Sequence, residues 1–143
     1  MGQIPLSGFT NQRSNMKNTT DILTALEASN LIKKQFECVT DSVIIRGRGV
    51  TIGWGHYLSD LDQGNLQLPI TKRQAEAILL HDCISATASI RTAINADYVW
   101  YRLDHAERAK LAASAFQQSR EEVRKLAAAF IEHHNGQIEQ GEK

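Results

Sequence analysis

The sequence has little of what builds a disulfide-stapled miniprotein, a membrane span or a nucleic-acid clamp. Cysteine occurs twice in 143 residues, as Cys38 and Cys83. They could form one bridge at most, and their spacing is not that of a metal site, so the fold does not rest on cross-links. Proline also occurs twice, at Pro5 in a polar N-terminus and at Pro69 as a stop before helical sequence. Neither sign of charge is in excess: Lys+Arg and Asp+Glu both count 16. A basic surplus of the kind that marks a dedicated nucleic-acid binder is therefore missing. No apolar run approaches the roughly 20 residues needed to cross a bilayer. Residues 1–14, MGQIPLSGFTNQRS, hold no continuous apolar stretch of the secretory type. Leu6 stands where a myristoylation signal needs Ser or Thr. These absences predict synthesis in the cytoplasm without a signal peptide and no membrane insertion. What is there, 42% hydrophobic and 22% charged residues, suits one soluble globular domain, and the length is too short for two comfortable ones.

The pattern along the chain predicts a flexible N-terminal arm over residues 1–18 and a single domain over 19–143. Thr19, Thr20 and Asp21 are helix N-cap types, and Ile22, Leu23 and Leu26 then line one side of a short helix. Ser29 and Asn30 can cap again, with Leu31, Ile32, Gln35 and Phe36 carrying helical spacing to Glu37 and Cys38. The period then changes. β-Branched runs at residues 43–46 and 50–52 flank Gly47, Arg48 and Gly49, which is a hairpin signal. Residues 53–58 prolong the sheet or form its exit turn, and residues 60–69 read as a polar loop. Thr71 and Gln74 form a capping box ahead of a stripe of Ala75, Ile78, Leu79, Asp82, Cys83, Ala86 and Ile90. Asp104 with Glu107 and Ser119 with Glu122 offer two more helix starts. The last helix stops at Asn135 and Gly136. One small hairpin followed by several helices makes an α+β chain dominated by helix.

Glu37 is the residue with the clearest chemical potential. It closes an amphipathic helix directly behind Phe36, and a carboxyl against apolar walls favours its protonated form and can act as a general acid. Thr51, Ile52, Gly53, Trp54, Gly55 and His56 follow, with glycines that let backbone and substrate approach closely. A catalytic role for His56 lacks a Ser or Cys elbow to partner it. His56 is read instead as a structural histidine paired with Asp82 across the hairpin–helix junction. Cys38 is a nucleophile by position or a packing residue by type, and Cys83 falls on the apolar stripe as core. His133 and His134 are adjacent and do not share a helix face, which argues against a metal pair. Residues 60–71 imitate a calcium loop, with Thr71 where the closing Glu belongs. Trp54 and Trp100 offer aromatic faces for sugar stacking, or core.

Several of these segments together resemble the phage-type lysozymes (endolysins) of glycoside hydrolase family 24. The resemblance rests on LIKKQFE ending at Glu37, on GVTIGWGH from Gly49 to His56, on Ile70-Thr71-Lys72 with Ala75, Glu76 and Asp82, and on Leu103-Asp104 running to Phe116-Gln117-Gln118-Ser119. It spans about residues 29–136. It implies a lysozyme-like fold, with a small β-hairpin lobe beside a predominantly helical lobe and a polysaccharide cleft between them. It also implies a muramidase that hydrolyses the β-1,4 bond between N-acetylmuramic acid and N-acetylglucosamine in bacterial peptidoglycan.

Carried over position by position, the resemblance makes Glu37 the general acid and Thr51 the hydroxyl beside the attacking water. Phe116, Gln117 and Trp54 become substrate-binding residues. At the family's catalytic Asp position this chain has Arg46, which leaves Asp41 as the nearest candidate for the second catalytic carboxylate. Cys38 and Ser119 stand where the family has glycines, and the chain stops before the family's last helices. The resemblance calls for no cofactor and no metal, and for a monomer that meets the cell wall after membrane permeabilisation or virion delivery. The alternative is a catalytically inactive module of the same fold that binds glycan or a protein.

Overall fold

A computed structural model of the chain describes the backbone of residues 4–46 and 49–141 and the side chains of residues 19–45 and 49–135. In chain order the elements are α1 (Ile4–Gln35), β1 (Val39–Arg46), β2 (Gly49–Gly53), β3 (His56–Leu58), α2 (Asp60–Asn65), α3 (Lys72–Ile94), α4 (Asp97–Trp100), α5 (His105–Ala115) and α6 (Arg120–Gly141). The chain is mixed helix and sheet, mostly helical, with one antiparallel sheet in the order β1-β2-β3. No helix among the described residues is long and apolar enough to cross a membrane.

Capping chemistry sets three helix starts where the sequence puts them. The Thr71 hydroxyl accepts from the Gln74 N–H at 3.0 Å, and the Gln74 side chain accepts from the Thr71 N–H at 2.7 Å. Asp104 accepts from the Glu107 N–H at 2.8 Å to open α5, and Ser119 from the Glu122 N–H at 3.1 Å to open α6. Each cap satisfies a donor that the first turn would otherwise leave bare, worth about 1 kcal/mol.

Other boundaries differ. The backbone of α1 begins at Ile4 and runs without a break through Asn18 and Thr19, the boundary expected between arm and domain. Thr24 and Ser29 do not stop it, because their hydroxyls donate back to the carbonyls of Thr20 and Leu26 within the helix, at 2.9 and 2.6 Å. The helix α2 replaces the first half of the expected loop. Ser59 and Asp62 form its capping box, a reciprocal pair like that of Thr71 and Gln74. Asn135 and Gly136 do not end α6, which continues to Gly141.

The sheet is a hairpin with a third strand added. Ile44 faces Thr51, Ile45 faces Val50 and Arg46 faces Gly49, so Gly47 and Arg48 are left as a two-residue connection that lies outside the described residues. Val39 faces Gly53, which leaves residues 40–43 opposite Ile52 alone, and β1 bulges outward there. Gly53 and Gly55 take positive φ, 68° and 89°, at the turn into β3. A side chain on Gly53 would sit against Ala75 and would strain this left-handed backbone.

The core lies between helices. Ala25, Ala28 and Ile32 of α1 meet Leu79, Cys83, Ala86 and Ile90 of α3, and Ala112 and Ala115 of α5 close the layer. Val123 and Ala127 bring α6 onto the same α3. Small residues dominate the α1 contact, so the helices approach closely. Ile22, Leu23 and Leu26, expected to line the packed side, are exposed instead. A polar tie holds α1, α3 and the α4 turn: Asp21 accepts from the Trp100 indole N–H at 3.2 Å and pairs with Arg91 at 3.5 Å. Trp100 is fully buried, so it belongs to the core and not to a sugar-facing surface. The sheet docks on this helical body through Ile52 and Trp54, both buried, and through the contact of β2 with α3.

Candidate functional site

Glu37 lies just past the end of α1, where the chain turns from helix into β1, and its side chain is exposed. Phe36 beside it is 43% exposed, so the apolar-walled setting that the sequence implied is open on one side. Glu37 and Phe36 line a small cavity of about 30 Å³ together with Ile44 of β1, Thr51 and Ile52 of β2, and Trp54. The helix end and the hairpin thus bring Glu37 and Thr51 to one cavity.

Thr51 is 3% exposed and its hydroxyl donates to the Ile44 carbonyl across the hairpin at 3.2 Å. A threonine hydroxyl has a single proton, so with that proton committed it is left as an acceptor toward anything else it meets. It can hold a water by that water's own proton, and it is too weak a base to deprotonate it alone.

Asp41 is not brought to this cavity. It sits exposed in the β1 bulge, where the Ser42 hydroxyl approaches its carboxylate at 3.5 Å. The bulge carries it away from the register that holds Ile44 opposite Thr51. Arg46 is placed by its backbone at the hairpin end, opposite Gly49; its side chain lies outside the described residues. Among the described residues, Glu37 is the one carboxylate lining the cavity.

Phe36 and Trp54 also wall a neighbouring cavity of about 360 Å³, whose far side is Phe116, Gln117 and Gln118 at the end of α5. The three residues expected to bind substrate, Trp54, Phe116 and Gln117, therefore share one cavity next to the Glu37 cavity. Trp54 is 7% exposed, with the Lys33 ammonium 5.7 Å from its ring centroid. This cation–π contact fixes the indole as a wall, so it is less open than a free stacking platform. Gln117 follows the C-cap of α5 with φ 63°, in the left-handed region where glycine usually ends a helix. Its side-chain amide nitrogen is buried and has no hydrogen-bond partner. A buried donor without an acceptor costs about 1–3 kcal/mol, which an acceptor on a bound ligand would offset.

The expected His56–Asp82 pair is present, with His56 Nδ1 2.7 Å from Asp82 Oδ2. The hydrogen bond to Asp82 raises the histidine above its ordinary value, partly opposed by burial, with the Asp82 and Asp62 charges adding to the rise. The pair borders a third cavity of about 250 Å³, which shares Tyr57, Gln117 and Gln118 with the second.

The remaining candidates carry no chemistry here. Cys38 and Cys83 are free thiols. Burial lifts Cys38 above its ordinary value and pushes the Cys83 thiol up to about 12, so neither is an activated nucleophile. The His134 ring stacks on Phe130 at 5.7 Å. No group of three or more potential metal ligands occurs among the described residues.

Tyr57 and Gln118 line these cavities and are not among the site residues that the sequence suggests, and Lys33 backs the wall through its contact with Trp54. The signals that could have pointed to them are the place of Tyr57 after the hairpin glycines and the places of Lys33 and Gln118 inside segments that carry the resemblance. Comparison of the chain with protein-family models, with curated proteins and with solved structures finds no match in any of the three.

Proposed function

We propose that this chain is a lysozyme-like glycoside hydrolase that cuts the β-1,4 bond between N-acetylmuramic acid and N-acetylglucosamine in bacterial peptidoglycan. The observation that carries the reading is convergence. Glu37 from the end of α1 and Thr51 from β2 line one cavity, and Trp54, Phe116 and Gln117 line the next. These residues come from three separate stretches of sequence that all resemble the same family of enzymes.

In this reading a glycan strand lies along the groove between sheet and helices. Glu37 donates its proton to the glycosidic oxygen as the bond breaks. Thr51 accepts a hydrogen bond from the water that attacks the sugar, while the Gln117 amide donates to a sugar carbonyl or hydroxyl. The bond from the sugar carbon to the leaving oxygen breaks, the water oxygen takes its place, and the water's surplus proton passes to solvent, from which Glu37 regains the proton it gave.

The second reading, an inactive glycan-binding module, has one observation in its favour: a second carboxylate is absent from the described walls of the Glu37 cavity. An oxocarbenium-like transition state gains from a nearby anion, and no second carboxylate lines the cavity among the described residues.

Clearance of a cell-wall suspension by wild type and by Glu37→Gln separates the two. An amide cannot supply the proton, so the variant loses on the order of a hundredfold or more in rate while its circular dichroism is unchanged. A variant that clears walls as fast as wild type overturns the assignment of Glu37. A wild type that binds the wall and never clears it establishes the inactive module.

A further inference from the structure

We infer that the groove between the end of α3 and the start of α6 binds an anionic substituent, carboxylate or phosphate, carried by the glycan strand. The inference rests on the glycan-binding reading above and extends it to a second region of the molecule. This groove has a volume of about 820 Å³ and is the roomiest of the cavities described. Its polar lining is Ser89, Thr92, Asn95, Gln118, Arg120 and Arg124, and among the described residues no carboxylate lines it.

The two arginines break local rules for a helix. Arg120 and Arg124 stand four residues apart, so like charges face each other on one side of α6, which is unfavourable. Arg120 also opens the helix, at the positive end of its dipole, where acidic residues are preferred. The acids of the first turn, Glu121 and Glu122, both lie 3.9 Å from Lys125 instead. Among the described residues no ion pair or hydrogen bond involves the Arg120 or Arg124 side chain. Two exposed guanidinium groups on one groove wall, facing hydroxyls and an amide across it, form a set of donors that suits an oxyanion with several acceptor atoms.

Continuity ties this groove to the glycan cleft. Ser89 and Gln118 line both it and the cavity of the His56–Asp82 pair. That cavity in turn shares Tyr57, Gln117 and Gln118 with the cavity of Trp54 and Phe116. A strand whose sugars meet Gln117 therefore has a continuous path along which a branch can reach the arginines.

The test is titration of the whole chain, followed by backbone amide NMR, with three probes of equal sugar length. They are a neutral N-acetylglucosamine oligomer, the same glycan carrying an acidic peptide branch, and the same glycan carrying a phosphate ester. The expected result is that at least one anionic probe binds ten times or more tighter than the neutral one and shifts Ser89, Thr92 and Asn95. That advantage disappears in Arg120→Gln/Arg124→Gln, whose substitutions are on the surface, while affinity for the neutral oligomer is unchanged. Whichever anionic probe carries the advantage identifies the source of the oxyanion. If neutral and anionic probes bind equally, or the double variant keeps the advantage, the anion site is overturned and the glycan reading stands. If no probe shifts Trp54 or Gln117, the glycan reading itself is overturned.

Discussion

Gln117 combines two unfavourable features that substitution can separate. Its φ of 63° places a side chain where an L-residue pays roughly 1–2 kcal/mol, and glycine escapes this at about 0.5–1 kcal/mol of extra chain entropy. Its buried amide nitrogen, without a partner, adds about 1–3 kcal/mol of unrecovered desolvation. Gln117→Gly removes both and loses the packing of a half-buried side chain. The net expectation is a gain of about 1–2 kcal/mol, or a rise in Tm of about 3–8 °C for a chain of this size. Gln117→Ala removes the amide and keeps the left-handed strain, so it should be about 1 kcal/mol less stable than the glycine variant.

Both variants lose the amide of a residue that lines the cleft and, in the glycan reading, should bind N-acetylglucosamine oligomers about 2- to 12-fold more weakly, the range for one neutral hydrogen bond. Thermal unfolding with glycan titration on the three proteins reads out every term. If the glycine and alanine variants are equally stable, the backbone-strain argument fails. If both bind glycan like wild type, the Gln117 amide is not a ligand.

The His56–Asp82 pair predicts a pH-dependent coupling. A raised histidine contributes stability fully below its unfolded value near 6.5 and loses it as pH rises through the higher folded value. A double-mutant cycle should give a larger coupling at pH 5.5 than at pH 9, and equal couplings would sink the idea. Thr51→Val removes the hydroxyl that holds the Ile44 carbonyl, so it should cost about 1 kcal/mol in denaturant unfolding and lower cell-wall clearance. Asp41→Asn, exposed in the bulge, should leave clearance unchanged, and an abolished activity would show that the bulge rearranges to deliver Asp41. Ile90→Ala opens a cavity at a fully buried position of α3 and should cost about 2–5 kcal/mol, with a value below 1 arguing against the packing described.

The helix starts at Thr71, Asp104 and Ser119 could be read from sequence because capping is local, set by side chains three residues apart. The stripe on α3 could be read for a similar reason, since one helix period governs Ala75, Leu79, Cys83, Ala86 and Ile90. The packed side of α1 could not. Ala25 and Ala28 compete poorly with Ile22, Leu23 and Leu26 in any hydrophobicity count, and only the close approach of α3 and α5 decides for the small residues.

The candidate site divides in the same way. Glu37, Thr51, Trp54, Phe116 and Gln117 carry motif signals, and the groove gathers all of them. Asp41 is the carboxylate nearest to Glu37 in sequence, but it falls in the β1 bulge, a matter of strand register, and does not line the Glu37 cavity. The unpartnered buried amide of Gln117 and the arginines of α6, unpaired among the described residues, depend on which partners fail to arrive, and a linear sequence does not record that.

Asp82, Ser85, Ser89 and Thr92 all belong to α3, so the histidine end and the arginine end of the groove are marked off along one rigid rod. Ten positions separate Asp82 from Thr92, about 15 Å along the axis at 1.5 Å per residue. That spacing is a gauge that loop variation cannot reset. Inserting one residue between them would swing everything downstream by about 100°, carrying Ser89 and Thr92 off the wall they now form. A change of gauge would have to come in whole turns of about 5.4 Å, each one dragging the α6 contact along with it.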